Sequence, residues 1–226
     1  MPALLLAVTG QRTSPPLMID DLHPLLLGSA SPRRREILAT LGLPVVVFSA
    51  VVDESVLPDE EALPYLARVA ALKLAAVGAL PAAATAGAIL VADTTVIVDG
   101  RILGKPADEA EARSMLRALA GRAHQVATRF AIAGPDAPTR PLHEETVTTR
   151  VIFRALEDAE IEGYAATGEG LDKAGGYAVQ GLGSFAVARI EGSYANVVGL
   201  PACEVVSALR AAGLLARFPF APRRAG

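Results

Sequence analysis

The sequence predicts a mixed α/β fold in which helices flank one sheet. Leu25–Leu27 is an apolar triplet followed by a glycine and a helical pattern, as expected for a strand, a tight loop and a helix. Residues 88–92 form a continuous apolar run, which is typical of a strand covered on both faces. Residues 124–130 and 144–153 alternate in polarity, which predicts two further strands.

The composition predicts one globular domain without a nucleic-acid partner. The chain has 226 residues, of which 52% are hydrophobic and 20% charged, enough for a sizeable core. Its formal net charge of −3 attracts no polyanion globally, so any polyanion site must be local. Cys203 is the only cysteine, which excludes an internal disulfide framework and a multi-cysteine zinc site. We therefore expect a reducing environment and a cytoplasmic location.

The chain ends are expected to lie outside the folded domain. Residues 1–22 show no sustained hydrophobic period and are predicted to form a disordered extension, with translation from Met18 as an open alternative. The domain is expected at residues 23–217, followed by a tail at 218–226. Residues 74–92 carry no charge, but their Ala and Gly content favours a helix end, a loop and a buried strand over a membrane span.

The first predicted helix begins with an unusual cluster of arginines. Ser31 is a suitable N-cap, and Pro32 suits the first helical position. Residues 33–35 are all arginine, although the helix dipole favours carboxylates in the first turn. With Ser29 and the free helix N–H groups, they make a pocket suited to phosphate. A solvated basic helix start is the other interpretation, and both remain open.

Charged groups in the next segments also have two interpretations. Residues 60–80 are predicted to be helical, with Lys73 on the face that should be buried, where it either extends to an edge or points into a cleft. Asp53 and Glu54 follow a predicted strand at residues 45–48, either in a solvated turn or as ligands.

Asp93 is the strongest catalytic candidate. It is predicted to lie where the buried strand at residues 88–92 ends, before more strand at 96–98. Burying a carboxylate there costs free energy unless the group is paired, protonated or metal-bound. A structural capping role is the alternative.

The second half of the chain offers fewer candidates. Lys105 precedes Pro106 and lies outside a helix predicted at residues 107–120, free to point elsewhere. His124 opens a strand and is expected to be structural. The glycine-rich residues 168–183 suggest backbone close to a ligand, with a surface loop as the alternative. The remaining predicted elements are a helix at 159–166, a strand at 185–190, a turn at 193–201 and a helix at 201–217.

Together these residues form a chemical set suited to a polyphosphate. The arginines, Lys73 and Lys105 would neutralise anionic charge. Asp93, with Glu54 or Asp53, offers the hard oxygen ligands that Mg²⁺ or Mn²⁺ prefers. The chain has no Gly-x-x-x-x-Gly-Lys-Ser/Thr loop, and its cysteine has no His/Asp context. The best supported chemistry is therefore metal-assisted attack of water on a phosphoryl group.

The candidate residues lie in short motifs that follow one another along the chain. These are Gly28-Ser-Ala-Ser-Pro-Arg-Arg34, Val52-Asp-Glu54, Ala70-x-x-Lys73, Ala92-Asp-Thr-Thr-Val96, Leu103-Gly-Lys-Pro106, Gly121-Arg-Ala-His-Gln-Val126, Gly168-Glu169, Asp172-Lys-Ala-Gly-Gly-Tyr177, Gln180-Gly181 and Tyr194-x-Asn-Val-Val-Gly-Leu-Pro201. In this order, the motifs resemble those of the Maf-like proteins over residues 25–213. Only the collinear set is specific, since each motif alone is weak. The extension at residues 1–22 is not part of the family pattern, and Ala30 occupies a position often filled by glycine.

The resemblance implies a fold, an activity and a set of site residues. The fold would be Maf/ITPase-like, an elongated, bent mixed sheet flanked by helices with two lobes around a central cleft, often as a homodimer. The activity would be that of a nucleoside triphosphate pyrophosphatase, which uses a divalent cation to hydrolyse its substrate between the α- and β-phosphates. Asp93 would be the general base and, with Glu54, a metal ligand. The residues that would line the phosphate and metal site are Ser29, Arg33, Arg34, Glu54, Lys73 and Lys105.

The substrate class also follows from the resemblance. At Arg33, Thr94 and Gln180, the sequence is similar to the branch of the family that prefers dTTP and UTP. Its substrates would include modified pyrimidine nucleotides. The Gln180 carboxamide offers both a donor and an acceptor to the O4/N3 edge of uracil or thymine. Two alternatives stay open: a pyrophosphatase that prefers 7-methyl-GTP, and a nucleotide-binding regulator of septum formation and cell division without significant turnover.

Overall fold

The computed structural model describes residues 17–219, and in that range seven strands form one mixed sheet. The strands are β1 Leu25–Leu27, β2 Val45–Val47, β3 Ala88–Val98, β4 Arg101–Leu103, β5 Ala123–Ala133, β6 His143–Phe153 and β7 Val187–Glu191. The α-helices are α1 Pro32–Thr40, α2 Ala62–Gly78, α3 Glu109–Leu119, α4 Asp158–Ala166, α5 Tyr194–Val198 and α6 Ala202–Ala211. The short 3₁₀ segments are Pro81–Thr85, Ala174–Gly176 and Leu182–Ala186.

The long central strand β3 organises the sheet. The strand order is β2-β1-β3-β5-β6-β7, with β1 parallel to both of its neighbours and the later pairs antiparallel. On one edge, β3 pairs with β5 over most of its length. On the other edge, β1 pairs with residues 88–90 and β4 with residues 96–98. Residues 91–95 are therefore unpaired by any strand on that edge, and a cleft opens there.

The two halves of β3 contribute to different hydrophobic clusters, which gives the sheet a lobe on either side of the cleft. The first cluster is built mainly by β1, α1, α6 and the first half of β3, with Leu25, Leu27, Leu38, Leu90, Phe130, Leu200, Val205 and Leu209. The second is built mainly by α3, α4, β6 and the second half of β3, with Val96, Val98, Leu116, Leu119, Val151, Phe153, Ile161 and Tyr164. The predicted mixed sheet, flanked by helices around a cleft, is confirmed.

The turn from β1 into α1 is set by packing as well as by capping. A Cβ on Gly28 would lie 2.7 Å from Val77 Cγ2 and 2.8 Å from Val91 Cγ1, so a larger residue would push α2 away from the sheet. Gly28 therefore allows the predicted turn and also lets the backbone pack closely against core side chains. Ser31 is the N-cap residue and Pro32 the first helical residue, as predicted, but the Ser31 side chain makes no capping hydrogen bond.

Several predicted boundaries were wrong, including those of β3, of the turn at 193–201 and of the last helix. The strand does not end at residue 92, because β3 runs unbroken from Ala88 to Val98 along β5. The predicted turn at 193–201 contains the helix α5, which the Ser193 side chain caps by accepting the Asn196 N–H. The last helix stops at Ala211 rather than at 217, since Gly213 takes a positive φ of 71° there.

The predicted extension at residues 1–22 and tail at 218–226 lie largely outside the described residues. Within the described range, Ile19 is buried in the first cluster and its N–H donates to Leu214 O at 2.9 Å. Phe218 packs against the same cluster. The domain limits therefore stay a prediction. No helix within residues 17–219 is long and apolar enough to cross a membrane.

Candidate active site

A cavity of about 490 Å³ opens beside the unpaired edge of β3. Its walls come from the β1–α1 loop, the middle of β3, the loop after β4 and the glycine-rich segment that follows α4. This position lies beyond the carboxyl ends of the parallel strands β1 and β2, where α/β sheets commonly bind ligands. The residues that the resemblance implied for the site all line this cavity: Ser29, Arg33, Arg34, Glu54, Lys73, Asp93, Thr94, Lys105 and Gln180. Arg35 and Asp53, which the sequence also offered as candidates, are not among the lining residues.

An ion-paired triad forms one wall of the cavity. Lys73 Nζ lies 2.7 Å from Asp93 Oδ1 and 2.9 Å from Glu54 Oε1. Asp93 is only 7% exposed and Lys73 only 8%, whereas Glu54 is exposed. Lys73 therefore lies on the buried face of α2, as the helical spacing predicted, and it points into the cleft rather than to an edge. The cost of burying Asp93 is offset by this close countercharge.

Arg34 is buried and bonded to protein atoms on several elements. Its Nε donates to Gly199 O at 2.8 Å, and its Nη1 to Ser29 Oγ at 2.9 Å and Ala92 O at 2.8 Å. Its Nη2 donates to Thr94 Oγ1 at 2.9 Å. Burial lowers the pKa of Arg34, while Asp93 opposes that shift. Four of the five guanidinium N–H groups are thus engaged, which leaves one for a ligand.

Ser29 and Thr94 are held in place by the same guanidinium. Ser29 Oγ also accepts the N–H of Ser31 at 3.3 Å. Thr94 Oγ1 lies 2.9 Å from Thr128 Oγ1 on β5 and 3.3 Å from Gly199 O. These hydroxyls form a polar network around Arg34 at the floor of the cavity, where Thr94 lies on the opposite face of β3 from Asp93.

The mouth of the cavity carries two cations, the half-buried Arg33 and the exposed Lys105. Arg33 Nη1 lies 3.2 Å from Asp172 Oδ2, in a pair that joins α1 to the glycine-rich segment across the opening. Lys105 is exposed, with no hydrogen bond or ion pair in the described part of the chain. Counting Lys173, the cavity is lined by five cationic side chains and three carboxylates, so it favours an anionic ligand.

Gln180 lies at the cavity on an exposed turn of the glycine-rich segment. The surface-loop interpretation of this segment is only partly right, since residues 175–179 are buried while Gln180 itself is solvent-exposed. Gly175 approaches β3 closely, because a Cβ there would lie 2.9 Å from Val96 Cγ2. The glycines thus allow the segment to pack against the sheet and to present Gln180 at its edge.

The donor set of the cavity fits a divalent cation. No group of three or more His, Cys, Asp or Glu residues in residues 17–219 is arranged to hold a metal ion. Mg²⁺, however, is usually held by one or two protein carboxylates together with substrate phosphates and water. Glu54 and Asp93 supply two such carboxylates, and Lys73 contacts only one oxygen of each.

Tyr65 is a cavity residue that the sequence interpretation missed. Its hydroxyl donates to the carbonyl oxygen of Glu54 at 3.2 Å and so fixes the loop that carries this carboxylate. Burial, and then the charges of Asp93 and Glu54, raise the pKa of Tyr65, which keeps the hydroxyl protonated as a donor. Its spacing of two helical turns from Lys73 is the signal that places both residues on one face.

His124 is buried, in agreement with its expected structural role. Its Nε2 lies 2.8 Å from Tyr177 Oη, and its ring packs edge-on against Phe153. Burial lowers the pKa of His124 to about 4, so the ring is neutral at pH 7. Tyr177 lines the cavity, and His124 therefore supports the site from behind without facing it.

Comparison with known proteins relates this chain to one family. A protein called "dTTP/UTP pyrophosphatase" from Myxococcus xanthus (strain DK1622) is 49% identical over 199 residues, which cover 87% of this chain and 96% of that protein. Proteins with the same name from Moorella thermoacetica and Geobacter sp. (strain M21) are 49% and 47% identical, each over 84% of this chain and at least 95% of their own length.

Among solved structures, the likeness is weak. The Staphylococcus aureus Ham1 protein matches 59% of this chain and 72% of its own, with 17% identity and a TM-score of 0.38, too low to support a conclusion. The family match is far stronger, because the description "Maf-like protein" applies to residues 24–212, nearly all of the described range. With the relatives above, this match shows that the chain belongs to the Maf family.

Proposed function

We propose that this chain is a nucleoside triphosphate pyrophosphatase that hydrolyses dTTP and UTP, including modified pyrimidine forms, to the nucleoside monophosphate and pyrophosphate. The observation that carries the proposal is the buried Asp93–Lys73 pair in the wall of a cationic cavity. The curated relatives named above, at 47–49% identity, support the same reaction and substrates.

The cations at the mouth bind the triphosphate. Lys105 has no partner to give up among the described residues, and Arg33 can exchange its exposed pair with Asp172 for a phosphate oxygen. Ser29 and the remaining N–H of Arg34 contact the chain of phosphates from the floor of the cavity. Because phosphoryl transfer depends mainly on positioning and charge neutralisation, these contacts supply much of the catalysis.

Asp93 is the general base in this mechanism. Lys73 holds its Oδ1 at 2.7 Å, which fixes the carboxylate and leaves Oδ2 to accept a proton from the attacking water. The water attacks the α-phosphorus, the bond from that phosphorus to the bridging oxygen breaks, and pyrophosphate leaves with the electron pair. Lys73, Arg33 and Lys105 stabilise the negative charge that moves to the leaving oxygen.

Glu54 and Asp93 are the residues that would hold a divalent cation, Mg²⁺ or Mn²⁺. When bound, such an ion neutralises phosphate charge and lowers the pKa of water. Tyr65 keeps the Glu54 backbone in place beside the cavity. The carboxylates therefore have two functions, in holding the ion and in directing the water.

Base selection falls to the turn that carries Gln180. Its exposed carboxamide can pair with the O4/N3 edge of a uracil or thymine ring, since it has both a donor and an acceptor. Thr94 acts less directly, because its hydroxyl is bonded to Arg34 and Thr128. Arg33 lies opposite, joined to the same segment through Asp172.

The test is pyrophosphate release from dTTP, UTP, CTP, GTP and 7-methyl-GTP with Mg²⁺ or Mn²⁺. We expect turnover of dTTP and UTP well above that of the purine nucleotides. Preference for 7-methyl-GTP would keep the mechanism and refute the assignment of substrate. Tight binding of the nucleotides without turnover would refute the enzyme and favour the regulator of cell division.

The assembly and the location of the protein are part of the same proposal. We expect a homodimer in the cytoplasm, acting on free nucleotides rather than on nucleic acid or at a membrane. Light scattering of the purified full chain gives the oligomeric state, and a monomer at all concentrations would refute the dimer.

A further inference from the structure

The turn that presents Gln180 is held by one carboxylate that plays no part in the mechanism above. Glu169 Oε1 accepts the N–H of Leu182 at 2.9 Å, and Oε2 accepts the N–H of Gly183 at 3.0 Å. Both donors are backbone groups on the C-terminal side of the turn. Glu169 lies just after α4, at the start of the glycine-rich segment, so it spans the base of the loop.

Tyr164 completes this anchor on the N-terminal side of the turn. Its hydroxyl donates to Glu169 Oε2 at 2.8 Å and accepts the N–H of Ala178 at 3.1 Å. Tyr164 is 5% exposed and packs in the second hydrophobic cluster, so its position is fixed by the core. Gln180 thus sits between two backbone segments that are tied to one carboxylate–hydroxyl pair.

The protonation states of Glu169 and Tyr164 match their roles as hydrogen-bond acceptor and donor. Although burial would raise the pKa of Glu169, hydrogen bonds from Gly183 and Leu182 lower it overall, and Glu169 is an acceptor. Burial, reinforced by the hydrogen bond to Glu169, raises the pKa of Tyr164, and its hydroxyl stays a donor. The anchor is therefore a charge-assisted set of hydrogen bonds at neutral pH.

The backbone beside Gln180 is shaped to this carboxylate. A Cβ on Gly181 would lie 2.1 Å from Glu169 Oε1. The φ of Gly181 is −117°, so the turn does not use the left-handed backbone there, and the close carboxylate opposes a side chain at this position. Lys173 Nζ also donates to the carbonyl oxygen of Glu169 at 2.7 Å, which fixes the backbone on the other side.

We propose that Glu169, together with Tyr164, is a positioning residue that holds the Gln180 turn in the orientation needed for base recognition. It does not touch the substrate, and it acts through the backbone of residues 178–183. The recognition half of this inference rests on the proposed pyrophosphatase function. The anchoring half can be measured without any substrate.

The experiment compares Glu169→Ala with a matched control, Glu160→Ala. Glu160 is a carboxylate in the first turn of α4 that bonds Arg154 and the N–H of Glu157, and it makes no hydrogen bond to residues 178–183. Amide hydrogen exchange is measured first, on the full chain without nucleotide. We expect exchange at Leu182 and Gly183 to rise at least about tenfold in Glu169→Ala and to stay at the wild-type level in Glu160→Ala.

Steady-state kinetics with dTTP then test recognition. Glu169→Ala should raise KM roughly tenfold and leave kcat within about threefold, because the phosphate groups and Asp93 are untouched. In a Gln180→Ala background, the same substitution should add little to KM, since the residue that it positions is already gone. Tyr164→Phe, which keeps the ring in the core, should change exchange at Ala178 and KM in the same directions.

The possible outcomes test the anchoring role and the recognition role separately. Exchange at Leu182 and Gly183 no faster than in Glu160→Ala would overturn the anchor. Faster exchange with an unchanged KM, or an equal rise of KM in the Gln180→Ala background, would overturn its role in recognition. If the wild-type chain turns over no pyrimidine nucleotide, the proposed function fails, and the exchange rates alone decide on the anchor. Should Glu169→Ala not fold, Tyr164→Phe tests the same anchor through exchange at Ala178 and through KM, and no change in either would overturn it.

Discussion

Replacing Arg34 by lysine tests whether its guanidinium holds the site together. The four acceptors of Arg34 are the carbonyl oxygens of Gly199 and Ala92 and the hydroxyls of Ser29 and Thr94, at 2.8–2.9 Å from its three nitrogens. A lysine has one nitrogen at a single point, so it cannot reach all four. If two acceptors lose their donor, at about 1–3 kcal/mol each, the free energy of unfolding falls by about 2–6 kcal/mol.

Urea unfolding followed by circular dichroism measures this loss. Arg33→Lys is the matched control, since Arg33 is the preceding residue and it forms a solvent-accessible pair with Asp172. We expect that variant to change the unfolding free energy by less than about 0.5 kcal/mol. Arg34→Lys should also reduce kcat for dTTP, because Ser29 and Thr94 lose the group that orders them.

A different pair of results would refute this reasoning. If Arg34→Lys unfolds like the wild type and only KM rises, Arg34 acts as a phosphate ligand and its internal hydrogen bonds contribute little. If Arg33→Lys destabilises the chain as much as Arg34→Lys, the loss is a general effect of changing the α1 start.

Three further results are expected. Lys73→Met leaves Asp93 buried without its countercharge, so dTTP turnover should fall at least about 100-fold and the unfolding free energy by about 3–5 kcal/mol; full activity in a steady-state assay would contradict the pairing. The pKa of His124 is lowered from 6.5 to about 4 by burial, so its contribution to stability is complete above pH 6.5 and is lost as the pH falls toward 4. Urea unfolding at both ends of that range should show the wild type losing up to about 3 kcal/mol more than His124→Phe, and equal losses would argue against a buried neutral ring. Gly28→Ala should lower the melting temperature, since its Cβ meets Val77 and Val91, whereas Gly104→Ala, with open space around it, should not.

The sequence predicted the groups of the site better than their surroundings. Lys73 was placed on a buried helix face by its spacing, and Asp93 stood out because it follows a continuous apolar run. The structure brings these two together at 2.7 Å. Both signals are local, since helical period and strand burial are written in a few neighbouring residues.

Contacts between segments that are distant in the chain could not be predicted from the sequence. Arg34 bonds the carbonyl oxygen of Gly199, and Glu169 bonds the N–H of Leu182; nothing near either residue in the chain indicates these partners. The position of Asp93 within β3 was missed for a related reason. Polar residues there suggested a strand end, whereas they mark the stretch where one strand edge is unpaired and faces the cleft.

The most direct test of the central claim is the identity of the products from dTTP. We predict dTMP and pyrophosphate in equal amounts from the wild type and from Asp53→Asn, which changes an exposed carboxylate next to Glu54. Asp93→Asn should lower the rate by about 10²–10⁴-fold without unfolding the chain. Release of dTDP and phosphate, or an Asp93→Asn variant as active as Asp53→Asn, would contradict the assignment of Asp93 as the base for attack at the α-phosphorus.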